Sequence, residues 1–355
     1  MLGVRLVVIV LALVTLPACS RGPEDALDDY LARLTRALDV AAVDDLASVP
    51  LSPGPTRRKL ALAEPELNIN LLEYLSLSGC ELGRVLGQRN SALGRVAPAS
   101  QRLHSERDIL QSLPDCIHQL TDTEPELAAS LQAVLATKIQ ARMKYWWNGW
   151  MTSQEWQAFS SPAAPLLPYD EAAADELLSA ARQATGFALR QGQAWQAKSF
   201  GYDSTAMEAH QQQWLATEAL GSWRRSQAAL TEISRQAALQ IDKRIGERPL
   251  CPAGRKTPQA EIVQTVFSRF YAAGLQPYLS RVDRYGDAVL ADLRGLGELA
   301  EVTPEWDAWL ASLAAEKAAL RDAHLLHVRK WQVLLRQCGM MPGQDTSHPA
   351  PVHTE

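Results

Sequence analysis

Apolar residues recur at three- and four-residue steps along most of the chain from residue 24 onwards, with charged residues between them. This spacing places the apolar side chains on one face of an α-helix. The first stretch predicts a helix from Glu24 to about Val49, which a run of three prolines then ends. The same spacing predicts helices over residues 66–88, 98–113 and 124–150. Pro114 is expected to end the second of these.

Residues 160–168, SSPAAPLLP, carry three prolines and form the clearest internal boundary, a Pro-rich linker. Long helices are predicted beyond it, over residues 169–198, 205–246, 258–282, 284–301 and 304–337. The predicted fold class is all-α, a multi-helix bundle. It has an amino-terminal bundle over residues 19–159 and a bundle of long antiparallel helices over residues 169–338, either separate or sharing a core. Residues 339–355 lack an apolar period and are expected to be disordered.

The first eighteen residues have the features of a secretory signal peptide. Arg5 is their only charge, and the apolar run that follows is too short to span a membrane comfortably. The sequence Leu16-Pro17-Ala18-Cys19 resembles a bacterial lipobox, which implies cleavage before Cys19 and a lipid on its thiol. We therefore expect a lipid-anchored, periplasm-facing protein whose partner is the membrane. Ser20 stands where an Asp is associated with retention in the inner membrane, which favours the outer membrane.

Four cysteines remain when Cys19 is lipidated. An even number in an oxidising compartment favours disulfides, for which three pairings are possible. Cys80–Cys116 and Cys251–Cys338 are favoured because each pair stays within one half of the chain. The chain has no CxxC pair, so a four-cysteine metal site is disfavoured and no metal is predicted.

The charge of the chain argues against nucleic acid as a partner. The full chain carries −5, and loss of Arg5 with the signal leaves −6. The chain also has no basic tract of the kind that neutralises phosphate backbones.

One polar set is a candidate anion-binding site. Its members are Arg89, Asn90, Ser91, Arg95, Ser100 and Arg102. Both serines stand where helix caps are expected, and arginines beside helix amino termini bind phosphate, carboxylate or lipid headgroups. The alternative is that Asn90 and Ser91 are turn and cap residues, while the arginines face water or pair with nearby glutamates.

A second candidate is the aromatic group Trp146, Trp147 and Trp150. An exposed group could stack on the sugars of an envelope glycan, whereas a buried one would join the two halves of the chain; helical spacing favours burial. His324 and His327 lie three residues apart on one helix, where we expect them at the surface.

No motif for catalysis or for cofactor binding stands out in the sequence. The chain has no GxSxG, P-loop, dinucleotide-binding or HExxH motif, so no cofactor is predicted. The first hypothesis is a non-enzymatic, lipid-anchored protein that binds an envelope protein or glycan. The alternative is an envelope hydrolase with a helical fold, whose catalytic residues would come from distant positions.

Residues 71–110 resemble an uncharacterised family of proteobacterial lipoproteins, domain of unknown function 3080. The matching pieces are Leu72-Glu73-Tyr74-Leu75, Cys80, Arg89-Asn90-Ser91, Leu93-Gly94-Arg95 and Ser100-Gln101-Arg102-Leu103. The resemblance extends over nearly the whole mature chain and implies a lipid-anchored envelope protein without an assigned activity. One departure is Gly87-Gln88 before Arg89, where an acidic partner for the arginine would be expected.

Overall fold

The computed structural model of the protein describes residues 22–42, 49–65 and 70–343. Within these ranges the regular structure is helical throughout, without a strand, so the predicted all-α bundle is confirmed. The signal peptide, Cys19 and most of the predicted disordered tail lie outside the described residues. No helix among the described residues is both long and apolar enough to cross a membrane.

Eight helices precede the Pro-rich linker in the described part of the chain. They are α1 (Pro23–Leu38), α2 (Arg57–Leu60), α3 (Leu71–Ser76), α4 (Glu81–Asn90), α5 (Ala92–Arg95), α6 (Ala99–Leu120), α7 (Pro125–Met151) and α8 (Gln154–Phe159). The predicted α7 agrees with the structure within a residue at each end.

The carboxyl-terminal half contains the longer helices. They are α9 (Glu171–Gln196), α10 (Ser204–Thr217), α11 (Ala219–Glu247), α12 (Pro258–Thr265), α13 (Gln276–Glu298) and α14 (Pro304–Arg336). A π-helical segment, Val266–Leu275, joins α12 to α13. Helix α11 packs along α14 and α13, α9 packs on α7, α10 and α13, and α6 packs on α7 and α4.

Several predicted helix ends are wrong in the first half. Helix α1 ends at Leu38 because Asp39 takes a left-handed conformation, with φ 55°, and so closes the helix. The single helix predicted over residues 66–88 is broken around Cys80 into α3, a short 3₁₀ turn and α4.

Pro114 does not end α6. The helix continues to Leu120, although a proline lacks the N–H that would pair with the carbonyl one turn earlier. Burial of Leu113, Cys116 and Leu120 on both sides of the proline, together with a disulfide at Cys116, outweighs that loss.

Two boundaries between helices are also predicted wrongly in the second half, one missed and one placed where the helix continues. Glu218, with φ 45°, separates α10 from α11 where one helix was predicted. The break predicted at residue 283 is absent, because Val282, Tyr285 and Gly286 are all buried against neighbouring helices. A Cβ on Gly286 would lie 2.7 Å from the ring of Trp223, so the glycine permits this close packing.

The tryptophans form the centre of the main core. Trp147 lies 4.9 Å from Trp306, and Trp156 lies 5.3 Å from Trp214, measured between ring centroids. The main core therefore contains residues from both sides of residues 160–168, and the two predicted bundles share it. A smaller apolar cluster lies between α4, α6 and α7.

The aromatic group is buried, as its helical spacing favoured, and the alternative of an exposed aromatic surface does not hold. The side chains of Trp146, Trp147 and Trp150 are 0% exposed. Their spacing points them into the main core, where they join the two halves of the chain.

Both favoured disulfides are confirmed. Cys80 and Cys116 join the start of α4 to α6, with 5.4 Å between Cα atoms, and Cys251 and Cys338 join the segment after α11 to the end of α14, with 5.2 Å. On the chain-entropy model, loops of these lengths each stabilise the fold by about 4 kcal/mol.

Candidate functional site

The seam between the antiparallel helices α6 and α7 contains charged side chains that are buried among apolar ones. The two helices approach closely because Gly149 leaves room for Leu103; a Cβ at residue 149 would lie 2.6 Å from that side chain. Most of the seam is aliphatic, with Ile109, Leu113 and Leu131 buried in it. The charged residues in this seam therefore stand in an apolar environment.

Three charges meet within this seam. Glu106 of α6 is 2% exposed and Lys138 of α7 is 4% exposed, and 2.5 Å separates Lys138 Nζ from Glu106 Oε2. Arg89 of α4 brings its Nη1 to 2.6 Å from Glu106 Oε1, in the geometry of an ion pair rather than of an aligned hydrogen bond. Burial lowers the pKa of Lys138, and the charge of Glu106 opposes that shift.

The Arg89 contact corrects one expectation drawn from the sequence. An acidic partner near Gly87-Gln88 was missing, yet Arg89 finds its partner on α6, seventeen positions along the chain. Arg84 likewise pairs with Glu81 on the surface of α4. The alternative in which these arginines pair with glutamates therefore holds for Arg89.

A small cavity opens beside this charged group. It has a volume of about 70 Å³ and lies between α4, α6 and α7. Its walls are mostly leucine, isoleucine and valine side chains, and its polar lining includes Arg89 and Lys138. Tyr145, two turns along α7 from Lys138, has its ring centroid 5.0 Å from Lys138 Nζ.

A larger pocket, which we call the arginine pocket, lies further along the same seam. Its volume is about 510 Å³. Its charged lining residues are Arg57 and Arg58 of α2, Arg102 of α6, and Glu64. All four side chains are exposed, and none of the three arginines has an ion pair or side-chain hydrogen bond with another described residue.

Two adjacent residues of α7 fix the wall of the arginine pocket. Trp147 Nε1 donates to the carbonyl of Leu60 at 2.8 Å, which holds the end of α2. Asn148 accepts from the N–H of Leu62 and donates to its carbonyl, both at 2.8 Å, and also donates to Glu64 Oε1 at 2.7 Å. The chain carrying Arg57 and Arg58 is thereby positioned over α7.

The six candidate anion-binding residues do not converge on one point. Arg89 and Arg102 line different cavities. Ser91 caps α5 by accepting from the N–H of Gly94 at 3.0 Å, and exposed Asn90 ends α4. Arg95 is exposed, whereas Ser100 is buried inside the first turn of α6 rather than at its cap. Anion binding by Arg102 stays a prediction.

Arg57 and Arg58 were missed in the sequence. They lie 45 and 44 positions before Arg102, in a short helix that has no apolar period of its own. The only local signal is the basic run Arg57-Arg58-Lys59 directly after Pro55-Thr56.

His104 lies where α6 meets α10. Its Nδ1 is 2.7 Å from the Tyr202 hydroxyl and its Nε2 is 3.0 Å from Glu208 Oε1. Burial lowers the pKa of His104, although Glu208 opposes the shift. Both ring nitrogens therefore have partners within the protein, and the histidine links α6 to α10.

The prediction that His327 lies at the surface is wrong. Its side chain is 0% exposed, and Nε2 lies 2.7 Å from the Tyr30 hydroxyl. Trp331 Nε1 donates to the same hydroxyl at 3.1 Å, and the hydroxyl can in turn donate to Nε2 when the proton of the neutral imidazole is on Nδ1. Burial lowers the pKa of His327 to about 3. The hydrogen bonds among Tyr30, His327 and Trp331 join α1 to α14.

Among the described residues, no group of three or more His, Cys, Asp or Glu side chains is placed to hold a metal ion.

The comparison with known proteins identifies the family. A family model described as "Protein of unknown function (DUF3080)" matches residues 27–342, which is nearly the whole chain. No curated protein and no solved structure matches the chain. The resemblance of residues 71–110 is confirmed, and the chain belongs to the DUF3080 family of proteins of unknown function.

Proposed function

We propose that this protein is a lipid-anchored envelope protein that binds an anionic envelope component without catalysis. The observation that carries the proposal is the arginine pocket, in which three exposed arginines face one glutamate in a chain of net charge −5. A cluster of unpaired guanidinium groups suits a phosphate or carboxylate ligand.

The anchor part of the proposal rests on the lipobox sequence and on where α1 begins. Cys19 is the lipidated residue in this proposal, and α1 starts at Pro23. Each extended residue spans at most about 3.6 Å, so the amino end of α1 would lie within about 15 Å of the anchored residue. The helical body would then stay close to the surface of the membrane.

The chemistry of the pocket follows from its charges. A guanidinium group forms two parallel hydrogen bonds with a phosphate or a carboxylate, and such charge-assisted bonds are stronger than neutral ones. Glu64 stands in the same pocket and would repel the ligand, while its hydrogen bond to Asn148 keeps it in place. Glu64→Gln would therefore strengthen anion binding.

The pocket is tested by thermal unfolding of the full lipoprotein in detergent with and without inorganic phosphate. The variant is Arg58→Ala/Arg102→Ala, and the matched control is Arg235→Ala/Arg329→Ala, which removes two exposed helical arginines elsewhere. A bound anion at ten times its Kd stabilises the folded state by about 1.4 kcal/mol. We expect this gain in the wild type and the control and its loss in the variant; equal gains in all three proteins would refute the pocket.

The anchor is tested separately by fractionation of cells. Cys19→Ala is expected to remove the lipid and release the folded protein from the membrane fraction, whereas Ser20→Ala keeps the anchor. If Cys19→Ala stayed in the membrane fraction after cleavage of its signal, the lipobox interpretation would be wrong.

A further inference from the structure

The arginine pocket contains charges of both signs that do not pair with one another. Arg57, Arg58 and Arg102 line it together with Glu64. None of the three arginines forms an ion pair with Glu64, and no other arginine or lysine in the described part of the chain pairs with this carboxylate. Positive and negative groups in the same pocket are therefore both open to a ligand.

Glu64 is held in the pocket by a neighbouring side chain. Asn148 Nδ2 donates to Glu64 Oε1 at 2.7 Å, and Asn148 Oδ1 accepts from the N–H of Leu62 at 2.8 Å. The residue that fixes the backbone after α2 thus also holds the carboxylate in place. Glu64 Oε2 has no hydrogen bond with another described residue. A free carboxylate oxygen is a good acceptor for an ammonium group, which has only donors to offer.

Arg102 lies close to this carboxylate. Helices α6 and α7 touch where Gly149 faces Leu103, since a Cβ at residue 149 would lie 2.6 Å from the leucine. Arg102 and Asn148 directly precede this contact on the two antiparallel helices, and both line the pocket. The axes of packed helices are about 8–10 Å apart. The long, exposed arginine and the carboxylate bound to Asn148 can therefore reach one small ligand between them.

The number of arginines favours a phosphate monoester over a carboxylate as the negative part of the ligand. Each guanidinium group carries several N–H donors in a planar fork, so three of them offer more donors than the two oxygens of a carboxylate can accept. A phosphate monoester offers three oxygens and a charge of about −1.5 to −2 at pH 7. The pocket, at about 510 Å³, has room for such a phosphate with a short chain.

We propose that the arginine pocket binds a phosphate monoester whose short chain carries an ammonium group, with the phosphate at the arginines and the ammonium at Glu64. This inference rests on the proposed function, because it names the class of ligand for the same pocket. Glu64 repels a simple phosphate, but it attracts a phosphate that carries its own positive charge. The carboxylate is then the group that selects the ligand.

The first test is calorimetric titration of the full lipoprotein in a non-ionic detergent with two matched ligands. One is O-phosphoethanolamine, and the other is propyl phosphate, which has a methyl group in place of the ammonium. We expect the wild type to bind O-phosphoethanolamine about two- to fivefold more tightly, the effect of one ion pair at an exposed carboxylate. Equal affinities, or tighter binding of propyl phosphate, would overturn the proposal, and this comparison needs no substitution.

The second test removes the charge of the selecting group. Glu64→Gln should bind propyl phosphate more tightly than the wild type does, and it should lose the preference for O-phosphoethanolamine. The matched control is Glu176→Gln, which replaces an exposed glutamate of α9 and should keep the preference. A preference that persists in Glu64→Gln would contradict the placement of the ammonium at this carboxylate.

The third test distinguishes a monoester from the diester of a phospholipid headgroup. Glycerophosphoethanolamine has the same ammonium but only two unesterified phosphate oxygens, so it should bind more weakly than O-phosphoethanolamine. Equal or tighter binding would refute the monoester.

The proposed function and this inference fail in different ways. If Arg58→Ala/Arg102→Ala binds propyl phosphate as tightly as the wild type does, the pocket itself is refuted. If that variant loses propyl phosphate while the wild type shows no preference for O-phosphoethanolamine, the pocket stands and only the ammonium-bearing ligand is refuted.

Discussion

His327 makes the stability of this fold depend on pH. The imidazole is held neutral in the core, where it is hydrogen-bonded to the hydroxyl of Tyr30 and its centroid lies 4.7 Å from that of the Tyr271 ring. Burial, together with the charge of the neighbouring His324, lowers its pKa from the usual 6.5 to about 3. The unfolded chain therefore takes up a proton at a pH where the folded protein does not.

The sign and size of the effect follow from this difference. A histidine whose pKa is depressed in the folded state destabilises the fold as the pH falls below the pKa of the unfolded chain. At pH 5 an unfolded histidine is almost fully protonated, whereas His327 is neutral for any folded pKa below about 4. Between pH 7.5 and pH 5 this single group lowers the free energy of unfolding by about 2 kcal/mol.

The assay is urea unfolding of the wild type and of His327→Gln at the two pH values. Glutamine keeps an oxygen that can accept from Tyr30 but does not titrate, so the variant lacks this part of the pH dependence. We expect the stability difference between wild type and variant to shrink by about 2 kcal/mol from pH 7.5 to pH 5. His118→Gln, which replaces an exposed histidine of α6, is the matched control and should leave the difference constant.

The result that would refute this reasoning is a stability difference that does not change with pH. Parallel pH profiles for wild type and His327→Gln would mean that His327 takes up its proton at the same pH in the folded and unfolded chains. Such a result would contradict the buried, neutral imidazole between α1 and α14.

Three further perturbations test the packing. Glu106→Gln leaves a buried lysine ammonium without its counter-charge and should lower the free energy of unfolding, measured by chemical denaturation, by about 3–5 kcal/mol. Glu81→Gln, which breaks an exposed ion pair, should have no measurable effect. Gly149→Ala forces a Cβ against a neighbouring leucine and should lower the free energy of unfolding by about 1–3 kcal/mol. A Cβ on Gly246 has no neighbour within 4 Å, so Gly246→Ala should not destabilise the fold. Cys338→Ser opens the longer disulfide loop and should lower the free energy of unfolding by about 4 kcal/mol. A variant as stable as the wild type would contradict this expectation.

The helical architecture was predictable because it depends on local periodicity. The apolar steps located α7, α9 and α14 to within about two residues. The disulfide pairing followed from keeping each pair within one half of the chain, and both pairs were confirmed. The helical periodicity depends on residues that lie near one another along the chain.

Features set by long-range packing were not predictable in the same way. The continuation of α6 through Pro114 depends on burial against α7 and on the bond to Cys80. Arg57 and Arg58 line one pocket with Arg102 because Trp147 and Asn148 hold α2 and the segment after it against α7.

The candidate site depends on the same kind of long-range contact. The sequence identified Arg102 as a candidate for anion binding, but its partners in the pocket come from a segment more than forty positions away. The helical spacing of the tryptophans, by contrast, favoured burial from the sequence alone, and all three lie in the main core.

The most direct test of the proposed function is photocrosslinking in cells from the arginine pocket. A photoreactive residue replaces Ala61, an exposed lining residue that leaves all three arginines in place, and a second protein carries it at Arg235 as the control. We predict a crosslinked envelope component bearing phosphate or carboxylate groups at position 61, none at position 235, and loss of the product when Cys19→Ala is added. Identical products from both positions, or no product at position 61, would contradict an anchored protein that binds an anion in this pocket.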